Sequence, residues 1–510
     1  MKTASGVRSE GRSPRARRGR STILLAVALL VALHVIWQAW LVASAPYPAQ
    51  YDYDEGVYAE TAAAAAAGDR LYTTVFLSQP PLLIGVLAHA FGTFGRSLAA
   101  ARGIVVGFSV LWLVCLSVIA ARGSRPRAAF WAVAIAGSAP AFVTASHTIQ
   151  MEGPSEALAA LAVALGLAAD DGPPVRGQAD RTGRWGLGNW ERWGAAGLAA
   201  GLALMTKFTA VTCLAPLAVA VLAADRVISP KRLAARTAGL AAGVLLGAAA
   251  AVTWTGSPPA AMWQQAVAFH GAVARAVGAD PGRTASLLLD FAVANWFLVA
   301  LGLAGLAGAA RGRRGAVAAW LAADLAVVFL WRPVWAHHLV IFVTPLAVLG
   351  AAAVETIWRG TERAGDAPPR PVPKAAPRLA AGTLAVCWLA ALAGTVAAVM
   401  PERSGSLQAA ASRTAQTVPA GSWIVADDPM VAFLAGRDVP PALCDTSEMR
   451  MRAGWLTAGT LTAALADPRV RGVVLWRGTF RHFFPEFPAE ASKNFPHRWT
   501  AGNGREILTR

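Results

Sequence analysis

Asp52-Tyr53-Asp54-Glu55, with Tyr58 one helical turn on, lies just after the first long apolar segment, Ser21 to Ala45. Carboxylates beside a membrane span cost free energy unless they face water or a polar cavity. The stretch therefore reads as a catalytic or binding cluster at a membrane surface. The apolar run before it reads as the first of many spans.

Composition supports that reading. The chain has 510 residues, 55% of them hydrophobic and only 15% charged. Soluble domains carry about 25% charge. A large soluble enzyme could not solvate this much apolar surface. Ala, Gly and Leu dominate the apolar runs, and small residues let helices approach closely in lipid. The net charge of +17 would suit nucleic acid, but its distribution argues against that partner. The basic residues sit in short loops and in the N-terminal segment, where they set orientation. Lys2, Arg8, Arg12, Arg15, Arg17, Arg18 and Arg20 read as a disordered basic arm, residues 1–20, resting on anionic lipid. The apolar run behind it is too long for a signal peptide and lacks a cleavage site, so it reads as an uncleaved span. Cys115, Cys213, Cys387 and Cys444 have neither a pairing framework nor metal spacing.

Apolar runs of about 20 residues predict about eleven transmembrane helices, at 21–44, 97–121, 128–146, 154–170, 193–206, 208–224, 234–254, 285–310, 315–331, 338–358 and 379–400. Gln79 to Gly95 is apolar enough to compete. Making it a span would move Arg122, Arg125 and Arg127 outside and invert every later basic loop. It therefore reads as an interfacial helix starting at Pro80-Pro81. Lys207 divides two short spans that turn at the outer surface. Asp170–Arg192 and Arg359–Arg378 read as flexible inner linkers. The connection from Gly256 to Thr284 reads as an interfacial helix covering the site. The chain from 401 to 510 turns soluble. Strands at 422–426 and 472–476, with helices to Leu434 and over 457–465, predict a small α/β domain outside the membrane. Residues 21–400 form the transmembrane domain, whose outer loop 45–96 carries the acidic motif.

This topology gathers Asp52, Asp54, Glu55, Tyr58, Gln79, His147, Glu152, Glu156, Lys207, Arg332, His337 and His338 on the outer face. Such a set suits glycosyl transfer from a lipid phosphate. A carboxylate removes the proton of the attacking hydroxyl. Fixed cations and donors stabilise the departing phosphate. A one-step displacement inverts the anomeric centre, by analogy with inverting hydrolases. Plainer readings compete. Asp54 and Glu55 could cap the following helix, Glu152 the next span, and Lys207 could snorkel to the surface. Trp331 and Trp335 read as interface anchors. Two adjacent His residues point in different directions on a helix, so no metal is predicted, although a divalent ion is possible. The rival function is a transporter or lipid flippase, which would place polar groups at mid-membrane within an internal repeat.

Asp54-Glu55 after the first span, then Gln79-Pro80-Pro81-Leu82-Leu83, resembles the C-type (GT-C) integral membrane glycosyltransferases. The nearest branches are the protein O-mannosyltransferases and the lipid A aminoarabinose transferases. Glu152-Gly153-Pro154, Gly201-Leu202-Ala203-Leu204-Met205-Thr206-Lys207 and His337-His338-Leu339 leading to Pro345 extend the resemblance over most of the chain. It implies a GT-C-like fold and a polyprenyl-phosphate sugar donor. It also implies a lipid, glycan or protein acceptor and Asp54 as base or acceptor-orienting acid, with Glu55 beside it. The expected binding residues are Tyr58, Gln79, His147, Glu152, Lys207, Arg332, His337 and His338. Two departures stand out. Gln79 occupies a place typically held by Lys in the aminoarabinose branch. Glu152 stands where the outer turn often carries Asp. The expected location is the plasma membrane, N-terminus inside and C-terminal domain outside.

Overall fold

The computed structural model describes residues 14–43, 52–169, 188–223, 230–309, 313–366, 376–399 and 406–510. In chain order the first helices are α1 (Pro14–Ala43), α2 (Tyr53–Ala66), α3 (Leu82–Phe94), α4 (Leu98–Gly123), α5 (Pro126–Gly137), α6 (Pro140–Ala145), α7 (Glu152–Ala169) and α8 (Gly188–Leu204). A 3-10 turn, Phe208–Cys213, leads into α9 (Leu214–Ala223), followed by α10 (Pro230–Trp254), α11 (Pro259–Trp263), a π-helical turn, α12 (Phe269–Val277), α13 (Pro281–Ala294), α14 (Trp296–Leu306) and α15 (Arg313–Leu330). A second 3-10 turn, Ala336–Phe342, precedes α16 (Val343–Asp366) and α17 (Ala376–Val399).

Among the described residues, six helical segments are long and apolar enough to cross a membrane, or seven if a bent pair counts as one span. The protein is a multi-pass membrane protein. The stretch predicted as one straight span at 285–310 is instead α13 and α14, bent by 98°. Asn295 sits at the corner. Its side-chain amide donates to Phe291 O at 2.9 Å and its side-chain oxygen accepts from Ala141 N at 3.1 Å, which ties the corner to the start of α6. The 128–146 span is likewise divided into α5 and α6, where Pro140 opens the second helix. The 13 residues of α3 reach roughly 20 Å at 1.5 Å per residue, too short to cross. The helical stretch 14–20 belongs to α1 rather than to a loose arm, and residues 1–13 lie outside the described residues. The expected linkers shrink too. α8 begins at Gly188, α16 runs to Asp366 and α17 starts at Ala376; the rest of the expected linkers, 170–187 and 367–375, lies outside the described residues.

Small residues decide the closest helix pair. Gly197 and Gly201 of α8 face Gly243 and Gly247 of α10, and an added Cβ at any of the four would strike the opposing backbone. Small residues four apart let two backbones touch, and dispersion then holds them in lipid.

The last stretch contains α18 (Ser406–Thr417), α19 (Pro429–Ala435) and a four-stranded sheet in the order β1 (Trp423–Ala426), β2 (Val470–Leu475), β4 (Glu506–Thr509), β3 (His497–Thr500). β1 and β2 run parallel; β4 is antiparallel to both its neighbours. One face of the sheet shares a core with α2 and α3: Met430, Val431, Ile424 and Ile507 pack with Val57, Leu83 and Leu87. At Gly56 an added Cβ would meet the backbone of Met430, so α19 rests directly on α2. The acidic motif is thereby sandwiched between the bundle and the sheet.

Candidate active site

Asp52 resolves the capping question. Its Oδ1 accepts the amide of Asp54 at 2.8 Å, making Asp52 the N-cap of α2 and leaving Asp54 and Glu55 free of that duty. Helical geometry then sends the two acids apart, since neighbours on a helix differ by about 100°. Asp54 and Tyr58, one turn apart, line a cavity with Gln79, Lys207, His337 and His338. Glu55 does not line it. Its carboxylate takes two hydrogen bonds from the Arg102 guanidinium, at 2.9 and 2.6 Å, and one from Ile149 N at 2.8 Å. Both partners are buried. Glu55 thus locks α2 to α4 and to the turn before α7. Expected beside Asp54 in the chemistry, Glu55 is instead directed at Arg102 and Ile149 N.

The cationic side comes from the openings of distant helices. Glu152 starts α7. Lys207 sits in extended conformation just after α8, fixed by its own amide on Ala203 O at 2.9 Å. The two side chains form a buried ion pair, so Lys207 does not snorkel. His337 bridges the acids: its Nε2 lies 3.8 Å from Asp54 Oδ2 and 3.7 Å from Glu152 Oε1. Asp54, His337, Glu152 and Lys207 therefore form one continuous charged row.

His338 stacks edge-on against His337 with centroids 4.7 Å apart. Ligand atoms of Glu152, His337 and His338 all lie within 4.8 Å of one another, so these adjacent His residues do converge, contrary to the expectation of divergence. Two imidazoles and a carboxylate suit a divalent transition ion. However, the Trp335 amide donates to His338 Nδ1 at 3.3 Å. A neutral ring accepting there carries its proton on Nε2, so metal binding at Nε2 requires that contact to be given up.

Burial raises the Asp54 carboxyl from 3.8 to about 6, opposed first by His337. Its side chain keeps 33% exposure, toward the cavity it lines. Tyr58 is pushed well above its usual range by burial and then by the charge of Asp54, so it stays a neutral phenol. His270, on α12, is lowered by burial despite its 2.8 Å bond to Ser78 O.

Two expected members lie elsewhere. Arg332 is exposed and absent from the cavity wall; the chain there points Trp331, Pro333 and Trp335 inward instead. His147 is buried, bonds Val143 O through Nδ1 at 2.9 Å, and feels the charge of Arg102, on the Glu55 side of α2. Gln79 lines the cavity, and its carbonyl accepts the Tyr72 hydroxyl at 2.6 Å. Trp331 and Trp335 are wall residues rather than lipid anchors alone. The 256–284 connection does cover the cavity, through Phe269, His270 and Val273. Missed altogether are Asp445, Ser447 and Met449 from the loop after β1 and α19. In sequence, Cys444-Asp445-Thr446-Ser447 looks like a turn before a short helix, with no signal that it reaches the membrane portion.

No family model matches the sequence, and neither does any curated protein. Solved structures do match over nearly the whole chain. ArnT from Cupriavidus metallidurans in the apo state superposes with a TM-score of 0.63 at 16% identity, covering 97% of this chain and 98% of that one. ArnT bound to undecaprenyl phosphate gives 0.62 at 15% identity, over 94% and 97%. The archaeal oligosaccharyltransferase AglB from Archaeoglobus fulgidus, in complex with an inhibitory peptide and a dolichol-phosphate, gives 0.52 at 12%, over 94% and 71%. These proteins are GT-C glycosyltransferases. The chain has the GT-C membrane glycosyltransferase fold.

Proposed function

We propose that the protein transfers a sugar from a polyprenyl-phosphate carrier to a hydroxyl acceptor at the outer face of the plasma membrane, by an inverting displacement with Asp54 as base. The observation that carries this reading is the charged row Asp54, His337, Glu152 and Lys207, of which Asp54, His337 and Lys207 line one cavity. A base needs a carboxylate that is exposed to substrate and tuned toward neutrality; a leaving phosphate needs cations held nearby. Lys207 supplies charge to the phosphate, and His337, Tyr58 and Gln79 supply hydrogen bonds. Glu152 holds Lys207 in place and, with His337 and His338, is the donor set for a metal if one is used. Glu55 holds α2 from behind through Arg102 and Ile149 N. The lipid carriers in the structures of ArnT and AglB favour the same donor class.

The orientation follows from charge. Arg122 donates to Ala164 O at 3.1 Å, near the end of α7 remote from Glu152. Arg313 and Arg314 reach Arg122 O and Ser124 Oγ, each at 3.2 Å, and Thr22 of α1 lines one surface pocket with Arg127. Basic loops and the N-terminal end thus gather opposite the acids, which supports a cytoplasmic side for them by the positive-inside tendency. Eleven crossings, with α5–α6, α8, the 3-10 turn Phe208–Cys213 continued by α9, α13–α14 and α15 as short or broken ones, keep that arrangement. Residues 21–400 are then the transferase domain and 401–510 an outer α/β domain.

The test incubates purified protein with radiolabelled polyprenyl-phosphate sugars and envelope extract. Wild type moves label into a new product. Asp54→Asn keeps the side-chain shape and loses about 10²–10⁴-fold in rate, the usual worth of a general base. Transfer by that variant at the wild-type rate would remove Asp54 from the mechanism.

A further inference from the structure

Asp445 is a second carboxylate in the cavity wall, supplied by the C-terminal part of the chain and outside the charged row. Its loop is rigidly held. Asp445 Oδ1 accepts Ser447 N at 2.8 Å. Arg450 donates to the carbonyls of Asp445 and Ala442, both at 2.7 Å. Thr446 donates to Ala426 O at 3.1 Å and meets the Tyr53 hydroxyl at 3.2 Å. Oδ2 of Asp445 makes no hydrogen bond among the described residues. A fixed carboxylate with one open oxygen is a preorganised acceptor, and it loses little entropy when it meets a ligand.

The surroundings define the ligand. Arg450 already lies close enough for its charge to couple to Asp445, so the carboxylate is not an unbalanced anion waiting for a cation. The Tyr58 phenol, which feels the charge of Asp445, offers an O–H. Trp331, Trp335 and Phe269 add apolar faces to the same wall. An acceptor and a donor beside aromatic faces match a ring that carries hydroxyls on its edge and C–H groups on its face. We propose that Asp445 reads the transferred sugar, its open oxygen accepting hydrogen bonds from ring hydroxyls. Donor specificity then resides in the loop beside the C-terminal sheet, while the bundle holds the lipid phosphate. This rests on the glycosyl-transfer reading above.

Asp445→Asn tests it in the full-length protein in lipid nanodiscs. The variant keeps a side-chain oxygen for the Ser447 amide, so the loop stays folded, and replaces the open acceptor with a donor. The probe is the polyprenyl-phosphate fraction extracted from membranes of the source cells. Mass spectrometry of the retained lipid gives the ratio of glycosylated to bare carrier. Wild type enriches one glycosylated carrier. Asp445→Asn retains bare carrier as before and loses that enrichment by about 10- to 150-fold, the worth of one hydrogen bond to a charged group. An unchanged enrichment in Asp445→Asn overturns the inference and leaves the glycosyl-transfer reading standing. A wild-type protein that retains neither form of carrier overturns both.

Discussion

Burial lifts the Asp54 carboxyl to about 6 while His337 pulls it down, so the base works only once its proton is lost. The transfer rate should fall about tenfold for each pH unit below 6 and level off above it. A rate measured from pH 4.5 to 8 checks this. A profile flat across pH 6 would show that Asp54 does not titrate in the rate-limiting step. Lys207 and Glu152 allow a sharper test. Removing one partner of a buried ion pair strands the other, at a cost of about 3–5 kcal/mol. Lys207→Met should therefore lower thermal stability strongly. Adding Glu152→Gln should restore most of the stability without restoring transfer, because the phosphate still lacks its cation. Recovery of both would mean that Lys207 serves only the fold. These residues were legible in the sequence because acids, His and Lys are rare beside spans. The partner of Glu55 was not: Arg102 lies 47 positions away, inside the apolar run 97–121. Nothing local in a sequence tells a paired carboxylate from a free one.

At the scale of elements, long apolar runs announced α1, α4, α7, α10, α16 and α17 directly, since only length and hydropathy are needed. Breaks were harder to see. Asn295 is one polar residue at the 98° bend, and its side-chain oxygen finds its partner in the amide of Ala141 far along the chain. The β3–β4 hairpin also went unread. Its strands have four residues each, too few for alternation to register. Yet Gly502, Asn503 and Gly504 all take positive φ, and such residues between β-prone runs are a recognisable turn signal. The glycines of α8 and α10 carry a prediction of their own. Gly243→Leu places a branched side chain against the backbone of Gly194 and Leu198. Overpacking of this kind costs roughly 1–3 kcal/mol. The variant should melt at lower temperature in detergent, whereas Gly382→Leu, with open space around it, should not. Equal melting of the two would show that α8 and α10 are not held by close backbone contact.

Over the whole molecule, the cavity has two owners: the bundle brings the charged row, and the chain after α19 brings the Asp445 wall. Arg96, between α3 and α4, is the rivet that joins them. It pairs with the buried Glu60 of α2, with Asp438 at 2.7 Å and with the Arg437 carbonyl at 3.1 Å. It also lies over the Phe433 ring at 4.5 Å. Arg96→Leu removes all of these at once and strands Glu60 against the sheet, while Asp54, His337, Glu152 and Lys207 keep their contacts with one another. The sheet should then loosen from α2 before the bundle unfolds. Limited proteolysis should release a fragment of the C-terminal region from the variant sooner than from wild type. Transfer should fall at least tenfold because the wall recedes, yet the protein should still retain a bare polyprenyl phosphate, which needs only the bundle. The decisive result would be a variant whose C-terminal region is readily clipped but whose transfer rate is intact, because the cavity would then work with one owner.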